Sequence, residues 1–267
     1  MSVEKIRVLR IINRFNLGGP TFNVAYLTKY MDDKFETLLL GGTKDETEAS
    51  SEFILDDLGI KPKVISEMKR AISLSSDYKS YKEIAKVIQE FKPHIAHTHA
   101  AKSGILGRLA AINNDVPIIL HTFHGNVFHS YFGEAKTLIY KSIERYLAKR
   151  STRIIAISQI QSDELSLIHK IADYSKVEIV HLGFDLSRFQ ENQSEKRNIF
   201  RDKYGLKDGE IAIGIIGRLV PIKNHKMFLD AVNPVFEQNP NTRFFVIGDG
   251  ESKDELLGVL SKIQYSI

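Results

Sequence analysis

The stretch Gly217-Arg218-Leu219-Val220-Pro221-Ile222-Lys223-Asn224 lies between an apolar run, Ile211-Ala212-Ile213-Gly214-Ile215-Ile216, and a segment of helical periodicity over about 224–236. The run reads as a strand buried in a parallel sheet, which places two cations at a strand's carboxyl end. Ligands of open α/β sheets bind at that edge, where loops and helix N-termini converge, so Arg218 and Lys223 form a candidate phosphate site. Arg218 offers a planar fork for phosphate oxygens, and Lys223 a mobile point charge. Gly217 lets the backbone approach a ligand, and Pro221 stiffens the loop. Standing alone, the same loop also reads as an ordinary βα connection with two solvated cations.

The elements that must position this loop alternate between short apolar runs and helix-period segments, the pattern of a parallel sheet covered on both faces. Strands are predicted at 7–12, 36–40, 63–65, 95–98, 118–121, 153–157 and 178–181. Helices are predicted at 21–31, 48–58, 78–91, 103–113, 135–149 and 159–169. Pro93 and Pro117 mark a helix end and a strand entry, and Ser158 is placed to cap the helix after its strand. From 185 to 210 the sequence turns polar, irregular and charge-rich, as a domain connection would. A second βαβ run follows, with a strand at 243–247 and a last helix from about 252 to 263.

A chain of 267 residues with 43% hydrophobic and 26% charged residues can bury a sizeable core and falls in the ordinary globular range. The net charge of +4 suits an anionic ligand or surface but is too small to imply nucleic acid. Without cysteine there are no disulfides and no thiolate metal sites, which fits a reducing compartment. The first residues run straight into a strand pattern with no secretory signal, and no apolar run nears the ~20 residues needed to span a bilayer. The expected location is therefore cytoplasmic, with any membrane contact peripheral, at the inner face.

Several further stretches occur in a fixed order: Asn16-Leu17-Gly18-Gly19-Pro20-Thr21, His97-Thr98-His99-Ala100-Ala101-Lys102-Ser103-Gly104, His121-Thr122-Phe123-His124-Gly125, Ile155-Ala156-Ile157-Ser158, Val180-His181-Leu182-Gly183-Phe184-Asp185 and Ile247-Gly248-Asp249-Gly250-Glu251. Singly they are weak. Gly18-Gly19-Pro20 alone is a turn, Asp249-Gly250 likewise, and His124 alone is a half-buried histidine bonded to backbone. As an ordered set with the Arg218 loop, they resemble the retaining nucleotide-sugar glycosyltransferases of family four, from Ile6 to the chain end.

The resemblance implies a GT-B architecture, an α/β fold with a complete Rossmann-like N-terminal domain and a partial second Rossmann-like domain. The expected boundaries are 1–187 for the acceptor-binding domain, 188–209 for a linker and 210–267 for part of the nucleotide-sugar domain. It implies transfer of a sugar from a nucleotide-diphosphate donor, with no cofactor and no metal, to a hydroxyl acceptor, lipid-linked in surface-polysaccharide synthesis. Arg218, Lys223, Gly18 and Gly19 would meet the donor diphosphate and His124 the donor sugar. Gly248 and Gly250 would lie near the nucleotide, and Lys102 and Ser103 would face the acceptor or cleft. Segment 135–153 mixes Leu138, Ile139, Ile143 and Leu147 with Lys136, Lys141, Arg145, Lys149, Arg150 and Arg153. It reads as a sheet-covering helix or as a peripheral membrane contact. The family's Glu-x7-Glu element does not follow Glu251, so the donor domain reads as incomplete, open to association through its unfinished sheet. The alternative is a non-catalytic sugar- or nucleotide-binding fragment or an inactive remnant. A nucleotide-sugar epimerase would share the architecture but needs carboxylates that have no candidates here.

Overall fold

The computed structural model describes residues 4–46, 48–125 and 134–260. The chain divides into two compact units, Met1–Asp185 and Leu186–Ile267. In the first, seven strands, β1 (Ile6–Arg14), β2 (Phe35–Gly42), β3 (Lys63–Ile65), β4 (Ile95–His99), β5 (Ile118–Thr122), β6 (Arg153–Ala156) and β7 (Val177–Ile179), form one sheet in the order β3-β2-β1-β4-β5-β6-β7. Every pairing is parallel. Strand order reverses between β1 and β4, which makes their carboxyl ends the switch point where a Rossmann-like sheet opens a crevice.

Six helices, α1 (Gly19–Lys29), α2 (Glu52–Asp57), α3 (Leu74–Phe91), α4 (Ala101–Asn113), α5 (Glu134–Arg150) and α6 (Gln159–Asp163), connect these strands. Side chains alternate across a strand, so β1 feeds two cores. Leu9 and Ile11 pack with Ile84, Val87 and Ile88 of α3 and Ala110 and Ala111 of α4. Ile12 packs with Val24 and Ala25 of α1 and Ile54 and Leu55 of α2. A third cluster joins Ala148 of α5 and Leu165 to Phe123, Ile154, Ala156 and Val177. Each fully buried aliphatic side chain contributes roughly 1.5–3 kcal/mol.

Helix α4 sits unusually close to the sheet because two glycines face it. A Cβ on Gly104 would lie 2.4 Å from the His121 ring, and one on Gly107 2.7 Å from Thr98. Helix α3 begins four residues earlier than its apolar period suggests, because the Ser73 hydroxyl accepts from the Ser76 N–H and caps it. Ser158 caps α6 as its position predicts. The predicted helix 159–169 changes hydrogen-bond pattern at Glu164, continuing as a π-helical turn over Glu164–Ile168.

The second unit holds α7 (Ser187–Gln190), α8 (Gln193–Lys203), β8 (Ile211–Ile216), α9 (His225–Asp230), α10 (Val232–Gln238), β9 (Thr242–Ile247) and α11 (Lys253–Leu260). Strands β8 and β9 pair in parallel from Ile211↔Thr242 to Ile216↔Ile247. Leu219, Leu229 and Leu256 are its buried apolar centre. The charged stretch 185–210, read as irregular, contains α8: Phe200 and Tyr204 stack edge-on against Phe245 of β9 at 5.2 and 5.5 Å, and the Arg201 guanidinium donates to the carbonyls of Glu210 and Lys207. Two aromatics on one face outweigh the charges that surround them. The end of the predicted 252–263 helix lies outside the described residues. Among those described, no helix is long and apolar enough to cross a membrane.

Candidate functional site

In the second unit the loop after β8 is fixed by the loop after β9. Gly217 N–H donates to the Ile247 carbonyl, Leu219 N–H to that of Asp249, and Ser252 N–H to that of Leu219. The two loops approach so closely that a Cβ on Gly248 would fall 1.9 Å from the Gly217 oxygen, and one on Gly250 2.4 Å from the Leu219 oxygen. Both glycines have φ of +156°, a conformation other residues rarely adopt. Leu219 is buried while its neighbour Arg218 is exposed, and Pro221–Lys223 make a 3₁₀ turn that leaves Lys223 exposed as well. Neither cation has a side-chain partner among the described residues. The sequence motifs at Arg218 and Gly248–Gly250, about thirty residues apart, thus form one rigid double loop at the carboxyl edge of β8 and β9.

In the first unit, Gly18 is the residue before α1 and Gly19 its first residue, with Pro20 in the first turn, where its missing N–H costs nothing. Here a Cβ would be harmless: Gly18 has only Pro20 Cδ at 3.7 Å, and Gly19 nothing within 4 Å. The fold does not require these glycines, in contrast to Gly248 and Gly250. The strand-end loop beside them is held by Arg14, which grips Glu48 through Nε and Nη2 at 2.6 and 2.5 Å and keeps that carboxyl below its usual range.

The histidines separate by face. His121 and Thr98 lie under α4, with His121 Nδ1 2.8 Å from Thr98 Oγ1. On the opposite face Arg10, at 2% exposure, is paired across the sheet with His97, its Nη1 2.9 Å from His97 Nδ1 and its Nη2 donating to the Leu27 carbonyl. His97 Nε2 is 2.8 Å from Thr122 Oγ1. His99, two residues on, lies with its ring 4.1 Å from that of His97, and its Nδ1 is 2.9 Å from His124 Nε2. Burial holds His97, His99 and His121 well below the ordinary histidine range, and it lowers His124 to about 4, so all four are neutral at physiological pH. Burial lowers Arg10 only to about 10, so it keeps its charge. His124 is half-buried, at the carboxyl edge of β5.

Lys102 and Ser103 have intrachain partners. Lys102 Nζ donates to the carbonyls of Lys69 and Ala71 and pairs with Asp77, strapping the segment before α3 to α4. Ser103 is fully buried and its hydroxyl donates to the His99 carbonyl, so it faces the sheet rather than solvent. Along α5, Leu147 and Glu144 are buried, Glu144 in a fully buried pair with Arg108 of α4 at 2.6 Å. Leu138, Ile139 and Tyr146 are exposed, with Arg150 stacked on Tyr146, while Arg153 belongs to β6. Among the described residues no group of three or more His, Cys, Asp or Glu side chains could hold a metal ion.

Sequence reasoning missed a groove of about 440 Å³ on the Arg10 face, lined by Tyr26 of α1 and Tyr30 just after it, by His97 and Thr122, and by Phe184 and Asp185. The motif Val180–Asp185 folds back on α1, where Tyr30 donates to Asp185 and Phe184 meets Tyr26 edge-on. It also missed Arg10, although a lone arginine inside Val8-Leu9-Arg10-Ile11-Ile12 is a signal that a buried polar network must receive it.

Comparison with known proteins decides the family. The sequence profile of Glycosyltransferase Family 4 matches residues 18–188, and that of Glycosyl transferases group 1 matches residues 196–262. The chain belongs to glycosyltransferase family 4. It is 34% identical over 204 residues to the UDP-Gal:alpha-D-GlcNAc-diphosphoundecaprenol alpha-1,3-galactosyltransferase of Escherichia coli, covering 76% of this chain and 52% of that one. It is 28% identical to the capsular polysaccharide biosynthesis glycosyltransferase CapM of Staphylococcus aureus, covering 71% and 50%. The chain therefore spans about half the length of these curated relatives. A glycosyltransferase from Rickettsia africae superposes with a TM-score of 0.68 at 18% identity, over 97% of this chain and 64% of that one, which shows a common GT-B fold.

Proposed function

We propose that this family-four chain serves a retaining transfer of a sugar from a nucleotide-diphosphate donor to a hydroxyl acceptor. The observation that carries the reading is the rigid double loop that holds Arg218 and Lys223 exposed and unpaired. As the bond from the anomeric carbon to the diphosphate oxygen breaks, negative charge grows on the departing diphosphate, while the acceptor oxygen bonds to that carbon on the same face and its hydroxyl proton passes to the departing diphosphate oxygen. Fixed cations stabilise this charge more than the ground state, which is how electrostatic preorganisation lowers a barrier. Gly18 and Gly19, glycines the fold does not need, leave room for the donor to approach the N-terminus of α1. His124 faces the donor sugar, and Gly248 and Gly250 lie near its nucleotide.

On this reading residues 1–187 bind the acceptor, 188–209 connect, and 210–267 contribute to donor binding. Similarity to the E. coli and S. aureus proteins supports a lipid-linked saccharide acceptor in polysaccharide synthesis. The exposed Leu138, Ile139 and Tyr146 of α5, with Lys149 and Arg150 at its end, would rest on an anionic membrane surface. The test is calorimetric titration of the chain with UDP-galactose. A bond from a charged donor contributes about 1.5–3 kcal/mol, so Arg218→Ala and Lys223→Ala should each weaken binding about 10- to 100-fold, with steep salt dependence in the parent. Equal affinity in parent and variants would overturn the phosphate-loop reading.

A further inference from the structure

The polar chain on the Arg10 face fixes where its protons sit. A guanidinium only donates, so His97 Nδ1, 2.9 Å from Arg10 Nη1, is an acceptor. Neutral His97 then carries its proton on Nε2 and donates it to Thr122 Oγ1 at 2.8 Å. The next contact, His99 Nδ1 to His124 Nε2 at 2.9 Å, has room for one proton. Two arrangements satisfy it. If His124 donates, His99 must carry its own proton on Nε2, an atom buried without a partner among the described residues. If His99 donates, that buried Nε2 is only a bare lone pair. An orphaned buried N–H is the rarer and costlier of the two, so the second arrangement wins.

We infer that His99 is a positioning residue: its Nδ1–H bond to His124 Nε2 locks His124 as the Nδ1–H tautomer, which then presents an N–H donor, not a base, to a ligand oxygen. The lock follows from this geometry alone; its use toward a sugar oxygen rests on the function proposed above. Full burial of His99 and its ring contact with His97, itself held by Arg10, keep the donor from rotating away.

The test uses the chain labelled with ¹⁵N, reading each histidine's tautomer from long-range ¹H–¹⁵N imidazole spectra at neutral pH. The expected pattern is Nε2–H for His97 and Nδ1–H for His99 and His124. His99→Asn, whose amide N–H₂ falls near the Nδ1 position, should preserve the His124 pattern. His99→Leu, which fills the space without a donor, should lose it to a mixture of tautomers while His97 and His121 keep theirs. A parent His124 protonated on Nε2 overturns the lock, as does an unchanged His124 in a folded Leu variant. Should the Leu variant not fold, the parent and Asn spectra still decide. UDP-galactose titration of the same variants separates the two claims: a lost tautomer with unchanged affinity counts against the donor-facing role of His124 and leaves the lock standing.

Discussion

The two candidate regions handle polarity in opposite ways. At the switch point of the first unit, Arg10, His97, His99 and His121 are sunk into the sheet and bonded to one another, to threonine hydroxyls or, for His99, to His124, and burial keeps the imidazoles neutral. In the second unit Arg218 and Lys223 stand in solvent, and what is buried around them is backbone: two loops locked by Gly248 and Gly250. One region presets hydrogen-bond direction, and the other presets charge. Direction needs a low-dielectric surround that forbids alternative tautomers, whereas full charge is retained only where water or a ligand can solvate it.

The largest effect expected from probing this contrast comes from the buried polarity of the first unit. Glu144→Ala leaves the fully buried Arg108 without its carboxylate and should cost about 3–5 kcal/mol in urea unfolding, whereas Arg108→Met with Glu144→Leu should recover most of it. A cost under about 1 kcal/mol for the single variant would mean that the buried charge finds another partner.

Next comes pH. The buried imidazoles titrate below their unfolded value near 6.5, so between that value and the folded pKa the unfolded chain binds the extra protons. Their stabilising contribution is complete above about pH 6.5 and falls as pH drops. For His124 the window closes at about 4. Unfolding free energy measured at pH 7.5, 6.5 and 5.5 should decline by up to about 1.4 kcal/mol per pH unit for each such histidine. A flat profile would mean that these rings are protonated in place.

The smallest and most discriminating comparison is between glycines. Gly250→Ala forces a Cβ onto the Leu219 carbonyl and should cost about 1–3 kcal/mol, while Gly19→Ala meets nothing and should leave the melting midpoint within experimental error. If Gly19 is kept small for a ligand, its alanine variant should weaken UDP-galactose binding without touching stability. Unchanged binding would reduce Gly18-Gly19 to a helix start.

The alternation of apolar runs and helical periods made the seven-stranded sheet legible, because strands buried on both faces cannot hide their composition. Boundaries failed where local chemistry outweighed periodicity. The serines at Ser73, Ser75 and Ser76 look like loop, but Ser73 caps α3 and the other two lie in its first turn, and the charges of α8 mask the Phe200–Tyr204 face that seats it. The cations at Arg218 and Lys223 could be read from spacing, since a strand end and a helix start fix where they go. The partners of Lys102 could not: its strap to Lys69, Ala71 and Asp77 joins segments some thirty residues apart, and nothing in the local sequence encodes that meeting. The tautomer chain was out of reach for the same reason, since it depends on strand register and not on residue type.

The pairing of β1 with β4 also sets a timetable. Arg10 and His97 are separated by 87 positions, so β1, an interior strand of the sheet, is synthesised long before the neighbour that completes it. At about 5–20 residues per second, β1 waits several seconds on the ribosome with β2 as its only parallel partner and with an arginine facing an unfinished interior. Non-local pairing of this kind is slow because loop closure precedes any gain from contact. Until β4 arrives Arg10 lacks its His97 contact, and the partner already synthesised for it is the Leu27 carbonyl of α1.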